Sequence, residues 1–189
     1  MKKLISPLLF LLLLHSITQA QEITLPVLDK SPMDMSYYPN NYPVLKIQDK
    51  ITEPLVARVI YSRPQKTGRQ IFGGLVEYGK VWRVGANEAT EIQFFRNVHI
   101  GGKRIIKGRY TIYALVNESS WTFIISKETD TWGAFKYDPQ KDLVRTDIPV
   151  QKTGVMTEAL AMVFEKNAGG CNLVIAWENI RVALPIVFK

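Results

Sequence analysis

Apolar residues recurring at every second position constrain this chain more than any other feature. Tyr110, Ile112, Ala114 and Val116 share one side of an extended segment, Leu173, Ile175 and Trp177 do so in a second, and Val182, Leu184 and Ile186 in a third. Side chains alternate between the two faces of a strand, so each pattern describes a sheet with one buried side. The predicted strands are Val44–Gln48, Leu55–Ser62, Thr90–Phe95, Val98–Ile100, Arg109–Val116, Trp121–Ser126, Asp142–Val150, Glu158–Glu165, Leu173–Trp177 and Arg181–Val187. Gly101-Gly102, Asn117–Ser120 and Asn167–Gly170 punctuate them with residues that tolerate positive φ. Pro185 has no amide hydrogen for a ladder, which predicts an edge position there. No long helical periodicity and no fixed-period repeat occurs. The expected fold is all-β, a single antiparallel β-sandwich of jelly-roll or Ig-like type with minor helix, over residues 44–189.

The chain has 189 residues, 47% hydrophobic and 11% aromatic, enough for one packed core. Its start is of another kind. Lys2 and Lys3 precede an apolar run from Leu4 to Leu14, and Thr18-Gln19-Ala20 ends in a small residue, the pattern of a signal peptide over residues 1–20. That run is too short to span a bilayer as a helix, so the expectation is an exported protein, periplasmic or secreted, without an integral membrane segment. Residues 21–43 carry Pro26, Pro32, Pro39 and Pro43 among Tyr37, Tyr38 and Tyr42 and read as an extended leader lying over the domain. Cys171 is the one cysteine, so no internal disulfide is available and a buried filler role is expected. With only His99 beside it after signal removal, the usual zinc sites are out of reach. Neither metal nor cofactor is implied.

Charge is uneven. Residues 58–109 hold 11 basic and 3 acidic side chains, which leaves the rest of the mature chain acidic. The glycine-rich connection from Arg63 to Gly85 reads as a long loop free to display its cations. If Arg63, Lys66, Arg69, Lys80 and Arg83 converge, they favour an acidic glycan or other anionic small ligand, gripped bidentately by guanidinium groups. The competing reading is a solvated basic surface. No nucleic-acid motif accompanies the charge, and export argues against such a partner. Gly74-Leu75-Val76-Glu77-Tyr78-Gly79-Lys80-Val81 is one residue from a phosphate-binding loop, but Val81 replaces the hydroxyl that would hold magnesium and no long helix follows.

Trp82-Arg83-Val84-Gly85-Ala86-Asn87-Glu88-Ala89-Thr90 is the densest polar constellation. One reading has Trp82 stacking on a sugar ring, Asn87 bonding it, and Arg83 with Glu88 orienting it. The other pairs Arg83 with Glu88 or another carboxylate to hold the loop closed. Trp132-Gly133-Ala134-Phe135-Lys136-Tyr137-Asp138 is a second aromatic segment, fit to line the same cleft or to pack a loop. The candidate ligand-binding residues are therefore Arg63, Arg69, Trp82, Arg83, Asn87, Glu88 and Trp132. Glycoside hydrolysis by Glu88 would need a second carboxylate, with Asp138, Asp142 or Glu178 available. Asp138 and Asp142 lack the ordered spacing of a calcium loop. His99, between Val98 and Ile100, is expected to face solvent, and no Gly-x-Ser-x-Gly elbow exists for a serine hydrolase.

Tyr61-Ser62-Arg63-Pro64, Gly68-Arg69-Gln70-Ile71-Phe72-Gly73, Tyr78-Gly79-Lys80-Val81-Trp82-Arg83 and Gly85-Ala86-Asn87-Glu88-Ala89-Thr90 stand in a fixed order, followed by Gly108-Arg109-Tyr110-Thr111, Trp121-Thr122 and Trp132-Gly133. In these stretches the chain resembles the domain-of-unknown-function 2911 family, from about Leu45 to the carboxyl end. The resemblance implies an exported protein of the Bacteroidota and carries no activity, substrate or catalytic residue. Three functional readings stand open: a non-catalytic binding protein for an anionic or glycan ligand, a carboxylate-dependent hydrolase using Glu88, and an envelope scaffold or assembly partner.

Overall fold

The structure is a computed structural model and describes residues 23–188; the signal peptide expected over residues 1–20 lies outside them. In chain order the elements are β1 (Met33–Tyr38), α1 (Tyr42–Ile47), β2 (Ala57–Ser62), β3 (Val81–Trp82), β4 (Glu91–Phe94), β5 (Val98–Ile100), β6 (Lys103–Ile105), β7 (Gly108–Val116), β8 (Ser120–Ser126), a 3₁₀ turn (Pro139–Lys141), β9 (Asp142–Pro149), β10 (Gln151–Asn167) and β11 (Gly170–Val187). They form two antiparallel sheets packed face to face, an all-β sandwich. The larger sheet runs β1-β2-β4-β7-β8-β9, with β3 also paired to β7, and the smaller runs β10-β11-β5-β6. No helix among the described residues is long and apolar enough to cross a membrane.

Period-two burial builds the core as expected. Tyr110, Ile112, Ala114 and Val116 of β7 meet Leu173, Ile175 and Trp177 of β11 in one cluster, together with Val182, Leu184 and Ile186. A straight strand of this length would reach about 60 Å. Instead the Phe188 amide donates to the Gly169 carbonyl at 2.9 Å, so β11 doubles back. The reversal falls at Glu178, whose φ is +57°, between the two runs that the alternation predicted as separate strands. Beside Pro185, β11 meets β5 only at Val187↔His99. His99 itself is half-buried and lines a shallow cavity with Thr146, Ile148 and Pro185.

A seam of side chains closes one edge of the sandwich. The β10 carbonyls of Leu160, Met162 and Phe164 accept from Arg63 Nε at 3.1 Å, Ser36 Oγ at 2.6 Å and Asn40 Nδ2 at 2.8 Å. The buried Tyr61 hydroxyl accepts from the Met162 amide at 3.0 Å and donates to the Met162 carbonyl at 3.3 Å. These donors stand in for a neighbouring strand, which blunts an edge that would otherwise be open to pairing. Further along, Gln65 bridges to Ala159.

Three local expectations need correction. Val44–Gln48 falls largely within α1, because Pro43 sits in the first turn, where its missing amide does no harm, and Asn41 adopts a left-handed φ of 57° ahead of it. The second half of the expected leader is β1, paired to β2 from Met33↔Ser62 to Tyr38↔Ala57. The glycine-rich connection from Arg63 to Gly85 is not an open display loop: Ile71, Phe72, Val76, Trp82 and Val84 are all buried in the core.

Tyr61→Phe should lower unfolding free energy by about 1–3 kcal/mol, because the Met162 amide loses its partner inside the protein; an unchanged denaturant midpoint would remove the seam from the account. Burial pushes the Cys171 thiol up to about 12. A thiol reagent at mildly alkaline pH should therefore leave native protein unmodified and label it on unfolding, whereas rapid labelling of the folded protein would contradict the burial.

Candidate functional site

The glycine-rich connection closes one end of the sandwich around a cluster of rings. Trp82 stacks on Trp177 at 6.1 Å and 19°, and meets Trp121 edge-on at 5.7 Å. Phe72 lies 5.1 Å from Trp121 and 6.2 Å from both Trp82 and Trp177. The Trp82 indole donates to the Gly85 carbonyl at 3.1 Å, and the residue is only 8% exposed. Trp82 therefore presents no face to a sugar, which corrects its expected stacking role. Its bulk, needed to fill the sandwich end, outweighed the polar neighbours that suggested a surface.

Three basic residues of this region are held by hydrogen bonds or ion pairs within the protein. Arg63 joins the seam and pairs with Asp34 at 3.1 Å, and Lys66 pairs with Glu178 at 3.2 Å. Arg69 binds the carbonyls of Lys66 and Gln65, holding the turn between them. Arg83 is half-buried, its Nε has no hydrogen-bond partner, and it makes no ion pair among the described residues, so burial lowers its pKa. The alternative Arg83–Glu88 clasp does not form.

Two loops meet instead over the outer face of the larger sheet. The loop between β3 and β4 turns twice through left-handed backbone, at Val84 (φ 56°) and Asn87 (φ 56°). Such a φ is uncommon for a β-branched residue, and here the Thr90 hydroxyl holds the Val84 carbonyl at 2.8 Å inside the protein. The loop's far side zips to the segment after β8: Glu88 bridges to Trp132, the Ala89 amide donates to Thr131 at 3.0 Å, and the Gly133 amide to Asn87 at 2.9 Å. That second segment is pinned to the sheet in turn. Thr111 donates to the Glu128 carbonyl at 2.7 Å, the Asp130 amide to Glu91 at 2.7 Å, and Tyr113 shares a hydrogen bond with Thr131 at 3.1 Å. At its end Tyr137 donates to Asp142 at 2.5 Å and accepts from Arg145 at 2.5 Å.

Between these walls lies a groove of about 430 Å³ lined by Met33, Ile60, Glu88, Glu91, Asp130 and Trp132. Arg109 ties Glu91 at 3.3 Å and Asp130 at 2.5 Å. The Thr129 hydroxyl and Arg109 hold the Asp130 carboxyl below its ordinary range. Trp132 is 61% exposed, with Phe135 stacked on one of its faces at 5.8 Å and 16°. Gly133 makes that stack possible: its φ is +72°, and a Cβ there would lie 2.6 Å from the Phe135 ring.

Of the residues singled out from sequence, Glu88 and Trp132 share the groove, and Asn87 holds the two loops together through its backbone. Arg63 and Arg69 lie outside the groove, held by Asp34 and by backbone carbonyls, and Trp82 is buried. The carboxylates expected to partner Glu88 lie elsewhere: Asp138 caps the 3₁₀ turn, Asp142 is bound by Tyr137 and Arg145, and Glu178 is bound by Lys66 on the smaller sheet. Met33, Ile60, Glu91, Asp130 and Arg109 escaped sequence reasoning. Glu91, set between the outward Ile60 and Thr111 by register, alternates with the core residues Ile92 and Phe94, and that alternation was its one sequence signal. Among the described residues no group of His, Cys, Asp and Glu has a metal-holding arrangement.

Burial and then the neighbouring Asp142 carboxylate push the Tyr137 phenol from 10.0 up to about 12. The neutral phenol's contribution to stability is thus complete below pH 10.0 and lost as pH rises toward about 12. Tyr137→Phe should flatten the alkaline loss of stability in that window, measured by denaturant unfolding on either side of it; the same pH dependence in both proteins would contradict the clasp.

No curated protein and no solved structure matches this chain. A family model, described as "Protein of unknown function (DUF2911)", matches residues 43–186, a span that runs from α1 to the end of β11 and takes in both loops of the groove. The chain belongs to that family.

Proposed function

We propose that the protein recognises a carbohydrate, without cleaving it, in the groove between Glu88 and Trp132. The observation that carries this reading is the open face of Trp132, an exposed indole standing beside carboxylates in a concave, partly apolar site. Sugar rings present C–H faces that stack on indole, while their hydroxyls donate to carboxylates. Glu88, Glu91 and Asp130 outnumber the one arginine that ties two of them, so the groove favours hydroxyl or amine donors. That narrows the anionic-ligand expectation, because Arg63 and Lys66 are paired with carboxylates of the protein itself. The signal pattern at the amino terminus supports an exported protein, which would meet its glycan outside the cytoplasm. A hydrolytic role for Glu88 lacks comparable support, since Asp138, Asp142 and Glu178, the carboxylates expected to partner it, are engaged elsewhere.

A glycan array tests the proposal. Wild-type protein should retain neutral or amine-bearing glycans, and Trp132→Ala should weaken them about tenfold, equivalent to about 1.4 kcal/mol. Arg69→Ala should leave binding intact. Retention of sulfated glycans alone, abolished by Arg69→Ala, would contradict the reading, as would signals indifferent to Trp132→Ala.

A further inference from the structure

Resting on the carbohydrate reading, we infer that the ligand is at least two units long and crosses the ridge Asp130–Trp132, with a hydroxyl- or amine-bearing unit beside Glu88 and a carboxylate-bearing unit beside Lys136. Asp130, Thr131 and Trp132 line the 430 Å³ groove on one side and a second cavity of about 370 Å³ on the other. Both volumes lie in the range of small-ligand sites. The ridge therefore separates two adjoining concavities and belongs to each. Trp132 and Phe135 cover one face of each other by stacking, which leaves each ring one outer face. Phe135, 79% exposed, lines only the second cavity.

Internal pairing sets the polarity on either side. In the groove, Glu91 and Asp130 are tied to Arg109, and Glu88 has no ion pair among the described residues. In the second cavity, Glu128 is tied to Lys141 at 2.7 Å, and Lys136 has no ion pair among the described residues. One anion and one cation thus remain for a ligand, on opposite sides of the ridge. A single sugar ring fills one side and leaves the other's charge unused. Two joined units of opposite character use both, and the second contact is gained without a second loss of translational freedom.

Calorimetric titration with glucosamine, with glucuronic acid and with the disaccharide joining them tests this. The disaccharide should bind at least tenfold more tightly than either sugar. Glu88→Gln should weaken glucosamine and the disaccharide but not glucuronic acid, and Lys136→Gln should weaken glucuronic acid and the disaccharide but not glucosamine. A disaccharide no tighter than the better monosaccharide, or one indifferent to Lys136→Gln, overturns the two-unit inference while single-sugar binding keeps the groove reading. Failure of all three sugars to bind overturns both.

Discussion

The insertion of Phe72 among Trp82, Trp121 and Trp177 is the contact on which the rest of the molecule depends. A two-sheet sandwich leaves its ends open, and aromatic rings close this one because they bury large areas with few rotatable bonds. The ring comes from the glycine-rich connection, so that connection is drawn inward and its flanking residues become fixtures. Arg63, Lys66 and Arg69 are then engaged where the chain enters the plug, with Asp34, Glu178 and backbone carbonyls as partners. Local positive charge here is held by contacts within the protein.

The same insertion sets the position of the groove. Trp82 and Val84 are both buried in the core, and the chain between them and β4 turns out toward the groove. It does so through left-handed Val84 and returns to β4 after Thr90. The excursion meets the segment after β8, and backbone hydrogen bonds from Ala89 to Thr131 and from Gly133 to Asn87 lock the two together. The ridge that bears Trp132 therefore rests on two loops, each anchored to a buried strand. A surface built this way is pre-organised, which would reduce the ordering that the proposed binding requires.

How much of this was legible in the sequence differs by level. Alternation along β7 and the two halves of β11 made the sandwich legible directly, because period-two burial is local information. The reversal at Glu178 was legible as a gap between two patterned runs, although no glycine marks it. What local pattern could not give was register. Glu91 and Asp130 come together through pairing of strands and a loop 39 residues apart, and only the assembled sheet shows it. Trp82 misled for a related reason: polar neighbours surround it along the chain, while its three-dimensional neighbours are aromatic. Val44–Gln48 misled because a proline and a left-handed asparagine start a helix there despite residues that suit a strand.

The indole N–H resonances give the most direct test of the division between plug and ridge, since the chain has 4 tryptophans. Trp82 and Trp177 donate to the Gly85 and Glu158 carbonyls, Trp121 is buried beside them, and Trp132 is exposed. During titration with glucosamine the Trp132 signal alone should exchange rapidly with water and shift, with the other three protected and still. Movement of the Trp82 signal, or a silent Trp132, would contradict the account.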